Sequence, residues 1–345
     1  MDLSRVLALL FLYFSLTNTL ELNYPAVFNF GDSNSDTGGL VAGTAQPLDP
    51  PYGQTYFHKP SGRFCDGRLI IDFLMDAMDL PFLSPYLESI GAPSFRKGCN
   101  FATTGSTILP TTVTYSPFPF GIQVSQFLRF KIRVLELLSQ GSNNLNKYLP
   151  KEAYFREGLY MFDIGQNDLI SVFQSNSEDQ VLDSIPSFLS EFEAGIKKLY
   201  SQGARNLWIH NTGPQGCLPK DIAQFGKDPS MLDEFGCVKT HNYAANVFNL
   251  KLLALSNKLQ DRFSDATITY VDIFSIKLDL ISNYSRYGFE QPGIVEIENR
   301  TSVTAKTTEG GSKYVSWDGI HYTEAANQHV SSQILTGKYS KSTIF

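Results

Sequence analysis

Short apolar runs alternating with amphipathic stretches constrain this 345-residue chain more than any other feature of its sequence. Ala26 to Phe30, Leu159 to Ile164, Asn206 to His210 and Thr267 to Asp272 are rich in β-branched and aromatic residues and bounded by turn formers, which predicts strands. Between them, Leu69, Ile70, Phe73, Leu74 and Ala77 recur at spacings of three and four. So do Phe188, Phe192, Ile196 and Leu199, with Gly203 placed as a stop, and Ala245, Phe248, Leu252, Leu255, Leu259 and Phe263 form the longest stripe. Strand-helix-strand order predicts an α/β fold with a mostly parallel sheet, covered on both faces and connected by right-handed crossovers. No linker-like shift in composition and no internal repeat interrupts the pattern, so one domain is expected over residues 21–345.

The first residues follow another logic. Arg5 precedes an apolar stretch from Val6 to Leu16, and Thr17, Asn18 and Thr19 follow. The stretch is too short to span a bilayer, which takes about 20 residues of helix, and its flanks are those of a secretory signal peptide over residues 1–20. No later window carries an apolar run long enough for a transmembrane anchor, so a secreted, extracellular protein is expected. Four cysteines remain, with no C-x-x-C to suggest zinc or a redox pair. Cys217 and Cys237, each among Gly and Pro, are the expected disulfide. Asn283 and Asn299 head two glycosylation sequons. The 26 Phe and 17 Tyr argue against disorder. A net charge of -6, with no basic block, argues against nucleic acid as a partner.

In open α/β sheets, ligands bind beyond the carboxyl ends of the strands. The first strand ends in Gly31-Asp32-Ser33-Asn34-Ser35-Asp36-Thr37-Gly38-Gly39, which puts the Ser33 hydroxyl on a tight turn beside free amides. Near the other end, Trp317-Asp318-Gly319-Ile320-His321 sets a carboxylate three residues before an imidazole. Asp318 can then accept from ring Nδ1, leaving Nε2 of His321 to take the Ser33 proton. Acyl transfer also needs donors for the tetrahedral oxyanion. Gly98-Cys99-Asn100-Phe101-Ala102-Thr103-Thr104-Gly105 offers the Gly105 amide, Gly165-Gln166-Asn167-Asp168 the Asn167 carboxamide, and Ser33 its own N–H. Taken singly, each block has a structural reading as a cap or turn; their joint occurrence in this order carries the argument.

These blocks resemble the GDSL esterase/lipase family, the SGNH hydrolases, over nearly the whole chain after residue 20. Gly62-Arg63-Phe64-Cys65-Asp66-Gly67-Arg68, His210-Asn211-Thr212-Gly213-Pro214 and Val315 to Asn327 are similar to its secreted plant branch. The resemblance implies Ser33 as nucleophile, Asp318 and His321 as its triad partners, and Gly105 and Asn167 completing the oxyanion hole. It also implies a three-layer α/β/α sandwich of flavodoxin-like type. Implied substrates are small-molecule carboxylic esters, among them lipid acyl, acetyl-sugar and phenolic esters, in lipids or cell-wall glycans. No metal and no organic cofactor is implied. The chain departs from that branch at Gly288 to Ser316, which is shorter and lacks cysteine, and at Cys99, where a small residue is commoner.

Other chemistries lack their signatures. There is no Gly-x-Ser-x-Gly, His-Glu-x-x-His, Walker loop or Gly-x-Gly-x-x-Gly. His58, His210, His241 and His329 lack an aspartate three residues upstream, which gives them structural roles, and Asp32, Asp36 and Asp168 read as tethers. Two alternatives stay open: a catalytically weak glycan-binding or structural wall protein, motivated by the short Gly288 to Ser316 segment, and a fucosidase-like glycosidase, which would need two carboxyl groups flanking a sugar bond. Tyr52 to Phe57 and Pro117 to Phe120 read either as pocket walls or as packed loops. Oligomeric state has no signature in the sequence.

Overall fold

The computed structural model describes residues 22–110, 114, 116–141, 145–174, 177–290, 296–298, 302–304 and 313–342. The expected leader and Asn299 lie outside the described residues. In chain order the elements are β1 (Val27–Gly31), α1 (Gly39–Thr44), α2 (Ile70–Ala77), β2 (Gly98–Asn100), α3 (Phe120–Ser139), α4 (Tyr154–Glu157) and β3 (Leu159–Asp163). There follow α5 (Gln166–Phe173), α6 (Glu178–Ser201), β4 (Asn206–His210), α7 (Pro219–Phe225), α8 (Lys239–Arg262) and β5 (Thr267–Val271). The chain ends with α9 (Ile273–Ser282), a short antiparallel ribbon of β6 (Glu296–Glu298) and β7 (Ser302–Thr304), α10 (Glu324–Leu335) and β8 (Ser340–Ser342).

The main sheet has the order β2-β1-β3-β4-β5-β8, parallel throughout except for the antiparallel edge strand β8. Its first five strands run in the 2-1-3-4-5 order of the flavodoxin-like arrangement. Because side chains alternate across a strand, each strand feeds two cores. Phe28, Phe30, Tyr160, Phe162, Leu207, Ile209 and Ile268 point into one, covered by α3, α6 and α8. Val27, Leu159, Met161, Trp208 and Val271 point into the other, covered by α2, α9 and α10. The result is a three-layer α/β/α sandwich.

Local chemistry sets the boundaries. The capping box of Ser177 and Gln180 starts α6, and Gly203, at φ 107°, lets the chain leave it. The expected strands overrun by a residue where the chain turns to helix: Ile164 precedes the Gly165 cap of α5, and the Asp272 side chain accepts from Ser275 N–H to cap α9. A disulfide joins Cys217 to Cys237 across 20 positions, tying the approach to α7 to the start of α8 and worth about 3 kcal/mol. Cys65 and Cys99 are buried free thiols pushed well up by burial, and therefore inert.

Candidate active site

The strand order reverses between β1 and β3, and the loops that carry Ser33, Gly105 and Asn167 leave the sheet there and at neighbouring β2, whereas Asp318 and His321 lie on the turn before α10. Gly31 closes β1. A Cβ at that position would lie 2.5 Å from the Asp163 carbonyl oxygen and 2.8 Å from Ser35 Oγ, so only glycine permits the tight exit that presents Ser33. Ser33 is 4 % exposed, and its side chain bonds to no described residue, His321 included.

The second group is assembled by one short turn. Asp318 Oδ1 accepts from the amides of Ile320 (3.0 Å) and His321 (2.8 Å). Its Oδ2 accepts from His321 Nδ1 at 2.6 Å and from the Tyr52 hydroxyl at 3.2 Å. Burial opposes the charge on Asp318, but the His321 imidazole, its hydrogen bond and the two amides outweigh it and hold the carboxyl down to about 2. The turn anchors itself: Trp317 N–H donates to the His321 carbonyl, Gly319 N–H to Ser316 Oγ, and Thr323 caps α10 immediately behind. Buried Val315, Trp317 and Tyr322 fix it in the second core. The His321 turn is thus held by its own residues 315–323 together with Tyr52.

Two further aspartates bring the oxyanion candidates toward Ser33. Asp36 is buried and accepts from the amides of Gly38 and Leu40 on its own loop and from both the amide (2.7 Å) and the hydroxyl (2.9 Å) of Thr104. The loop after β1 is thereby clamped to the residue before Gly105, whose φ of 78° favours glycine. Asp168 accepts from the amides of Ile108 and Leu109 and so ties α5 to the same loop; burial pushes it up to about 7 against the pull of those amides. Asn167 Nδ2 donates to the Ser106 carbonyl at 3.0 Å and to Asp32 Oδ2 at 3.3 Å. Its carboxamide is therefore oriented by two acceptors. Below Ser33, burial and the charge of neighbouring Asp163 push Asp32 well up. Asp163, although buried, is held down by His210, 3.9 Å away, and by the buried Lys277.

Sequence reasoning missed what lies between these groups. The segment from Tyr52 to Arg68 is a strap joining the Ser33 loop to the His321 turn. Gly62 packs against Gly38, and Arg63 reaches the Thr37 carbonyl while bonding Asp72 in both places. The Phe64 ring lies 5.4 Å from that of His321, and Asp66 accepts from the Glu324 amide. Tyr52 is thus a partner of Asp318, and the Tyr56 ring lies against the Arg68 guanidinium. Phe120 is buried against Phe192. The second aspartate–histidine pair, Asp221 and His241 at 2.7 Å, joins residues 20 positions apart, a spacing that gives no local signal. Among the described residues no cluster of metal-ligating side chains occurs, and no helix is long and apolar enough to cross a membrane. Asn283 is exposed at the end of α9.

Comparison with known proteins adds a separate line of evidence. The sequence model of the GDSL-like lipase/acylhydrolase family matches residues 27–334. The chain is 55% identical to a GDSL esterase/lipase of Arabidopsis thaliana, with 94% of this chain and 91% of the relative covered, and 53% identical to a second one, with 92% and 90% covered. It is 43% identical to an esterase of Hevea brasiliensis, with 92% and 87% covered. The first alignment runs over 372 positions, more than this chain possesses, so that relative carries residues with no counterpart here.

Proposed function

The chain belongs to the GDSL-like lipase/acylhydrolase family and is a carboxylic ester hydrolase, and from that premise we propose that Ser33, His321 and Asp318 form its catalytic triad. His321 Nε2 takes the Ser33 proton as Oγ attacks the ester carbonyl. Asp318 holds the ring with Nδ1–H toward itself and balances the imidazolium that forms. The negative oxygen of the tetrahedral intermediate meets the Ser33 and Gly105 amides and the Asn167 carboxamide. Collapse of that intermediate breaks the ester C–O bond, and His321 returns its proton to the departing alcohol. Water, activated by the same imidazole, then releases the acid from Ser33. The observation that best supports this reading is the fully loaded Asp318 carboxylate, with both oxygens engaged and one fixed on His321 Nδ1.

The proposal extends to a secretory leader over residues 1–20, one catalytic unit over 21–345, glycosylation at Asn283 and Asn299, and an extracellular place of action on lipid or cell-wall glycan esters. Family membership favours turnover over a binding-only role. Protein made in a secretory host and assayed on p-nitrophenyl acetate tests it. Asn167→Ala is expected to lower kcat by roughly 10²- to 10³-fold with little change in KM, because the lost donor acts on charge present only in the transition state. Equal turnover by both proteins removes Asn167 from the oxyanion hole.

Tyr52 supplies a subtler expectation. Without its hydroxyl, Asp318 Oδ2 keeps more charge for His321 and stabilises the imidazolium. Tyr52→Phe is therefore expected to move the acid limb of kcat/KM to higher pH by several tenths of a unit, while plateau kcat falls less than about tenfold. An unmoved limb shows the contact to be packing alone.

A further inference from the structure

We propose that Lys277, buried on α9, is a positioning residue that ties the Ser33 turn to the His321 turn and holds the two at reacting distance. This rests on the triad reading above. Ser33 Oγ and His321 make no direct bond and lie near opposite ends of the chain, so their spacing is set by other groups. Within α9 the buried residues Ile273, Ile276, Leu280 and Ile281 mark the stripe that faces the second core, and Lys277 falls on the same stripe. It is 1 % exposed, and no described residue accepts a hydrogen bond from its ammonium. A buried, unbonded ammonium opposes folding, and the apolar pattern around it calls for leucine or methionine. The packing of α9 therefore gives no reason for a lysine at this position.

Its neighbours supply one. The ammonium lies over the Tyr322 ring, 4.4 Å from the centroid and within cation–π reach. Tyr322 is buried and directly follows His321. The same charge faces Asp163 and Asp32, whose attraction opposes the fall that burial imposes on Lys277. Asp32 directly precedes Ser33, and its N–H donates to the Asp163 carbonyl at 3.3 Å, so both acids belong to the strand ends from which the nucleophile turn departs. The loop after β4 keeps the lysine on its path. Asn211 Oδ1 accepts from the Phe274 amide and its Nδ2 donates to Asp272 Oδ1, both at 2.9 Å, which fixes the start of α9. A Cβ on Gly213 would come within 3.0 Å of Lys277 Cδ. This gives a task to His210-Asn211-Thr212-Gly213-Pro214, a block of resemblance in which the acyl-transfer parts have no member. One side chain thus rests on the residue after the imidazole and is drawn to the residue before the serine.

Lys277→Met keeps the unbranched stem and removes the charge. On p-nitrophenyl acetate it is expected to lower kcat roughly 30- to 100-fold with KM within about threefold, since a displacement on the order of 1 Å between reacting groups costs about that much. Tyr322→Leu removes the ring on which the ammonium rests and should repeat the loss, whereas Tyr322→Phe keeps the ring and should restore kcat to within about threefold of the wild type. The double variant Lys277→Met/Tyr322→Leu should lose no more than about threefold beyond either single one, because both break the same link. Losses that multiply in the double variant, equal losses in Tyr322→Phe and Tyr322→Leu, or a raised KM with kcat kept, overturn the proposal. Should Lys277→Met fail to fold, the two Tyr322 variants decide by themselves. Hydrogen exchange reads the tie without turnover: in Lys277→Met or Tyr322→Leu, residues 32–37 and 316–322 should both exchange about tenfold faster. Coupled exchange in a protein that a serine-reactive fluorophosphonate never labels at Ser33 keeps the tie and removes the triad. Unchanged exchange in either turn removes the tie, even where Ser33 is labelled.

Discussion

Ser33→Ala is expected to slow the hydrolysis of short p-nitrophenyl esters by roughly 10⁵-fold or more, the scale on which removal of a nucleophile disables an acyl-transfer site. The effect should be confined to chemistry. The Ser33 hydroxyl bonds to no described side chain or carbonyl, so alanine leaves no stranded donor or acceptor in the fold, and thermal stability should shift by less than about 1 kcal/mol. A fluorophosphonate reagent, which reacts with an activated serine, should label the wild-type protein at Ser33 and leave the variant unlabelled. Mass spectrometry of the adduct separates this from reaction at Ser35, whose hydroxyl accepts a bond from the Asn29 carboxamide and sits next to the Gly31 backbone. Retained turnover in Ser33→Ala, or a label placed elsewhere, would remove the hydroxyl from its proposed role.

What could be read from the chain beforehand follows the range of the interactions. The four long strands announce themselves because each sends alternate large side chains into two cores, so that Leu159, Tyr160, Met161 and Phe162 are all apolar. The three residues of β2 carry no such signal: Gly98, Cys99 and Asn100 join the sheet because β1 and the following loop hold them. Edge strand β8 is Ser-Lys-Ser, polar because an edge faces water on one side, and composition cannot separate it from a terminal tail. At the site, Asp318 and His321 were legible because three residues on one turn bring the carboxylate to the ring. The clamp of Asp36 on Thr104 spans 68 positions and the bond from Tyr52 to Asp318 spans 266. Contacts of that reach depend on the sheet order that delivers both loops to one end of the strands, and no local pattern encodes them. The strap was visible only as a block of resemblance, and its physical task, joining the serine loop to the histidine turn, comes from the three-dimensional packing.

The sharpest test of that task is the carboxylate. Asp318→Asn is expected to lower kcat by roughly 10⁴-fold while leaving KM within a fewfold, and the reason lies in which atoms face each other. Oδ2 takes two hydrogens, from His321 Nδ1 and from Tyr52, and Oδ1 takes two amides. An asparagine must turn its NH₂ toward one of those pairs. Toward the ring, it forces His321 to carry its proton on Nε2, where it can no longer accept from Ser33; toward the turn, it confronts the amides of Ile320 and His321 and loosens the loop. The pH dependence separates these roles. With its carboxyl held down to about 2, Asp318 stays ionised throughout the working range, so the acid limb of the wild-type rate belongs to another group. The same depression makes Asp318 a source of stability that is present above the ordinary carboxylate range near pH 4 and lost as pH falls through about 2. Asp318→Asn should therefore flatten the acid side of the unfolding curve as well as slow turnover. A variant that keeps more than about a tenth of wild-type kcat would mean that His321 needs no fixed tautomer, and the triad assignment would fail even with Ser33 labelled.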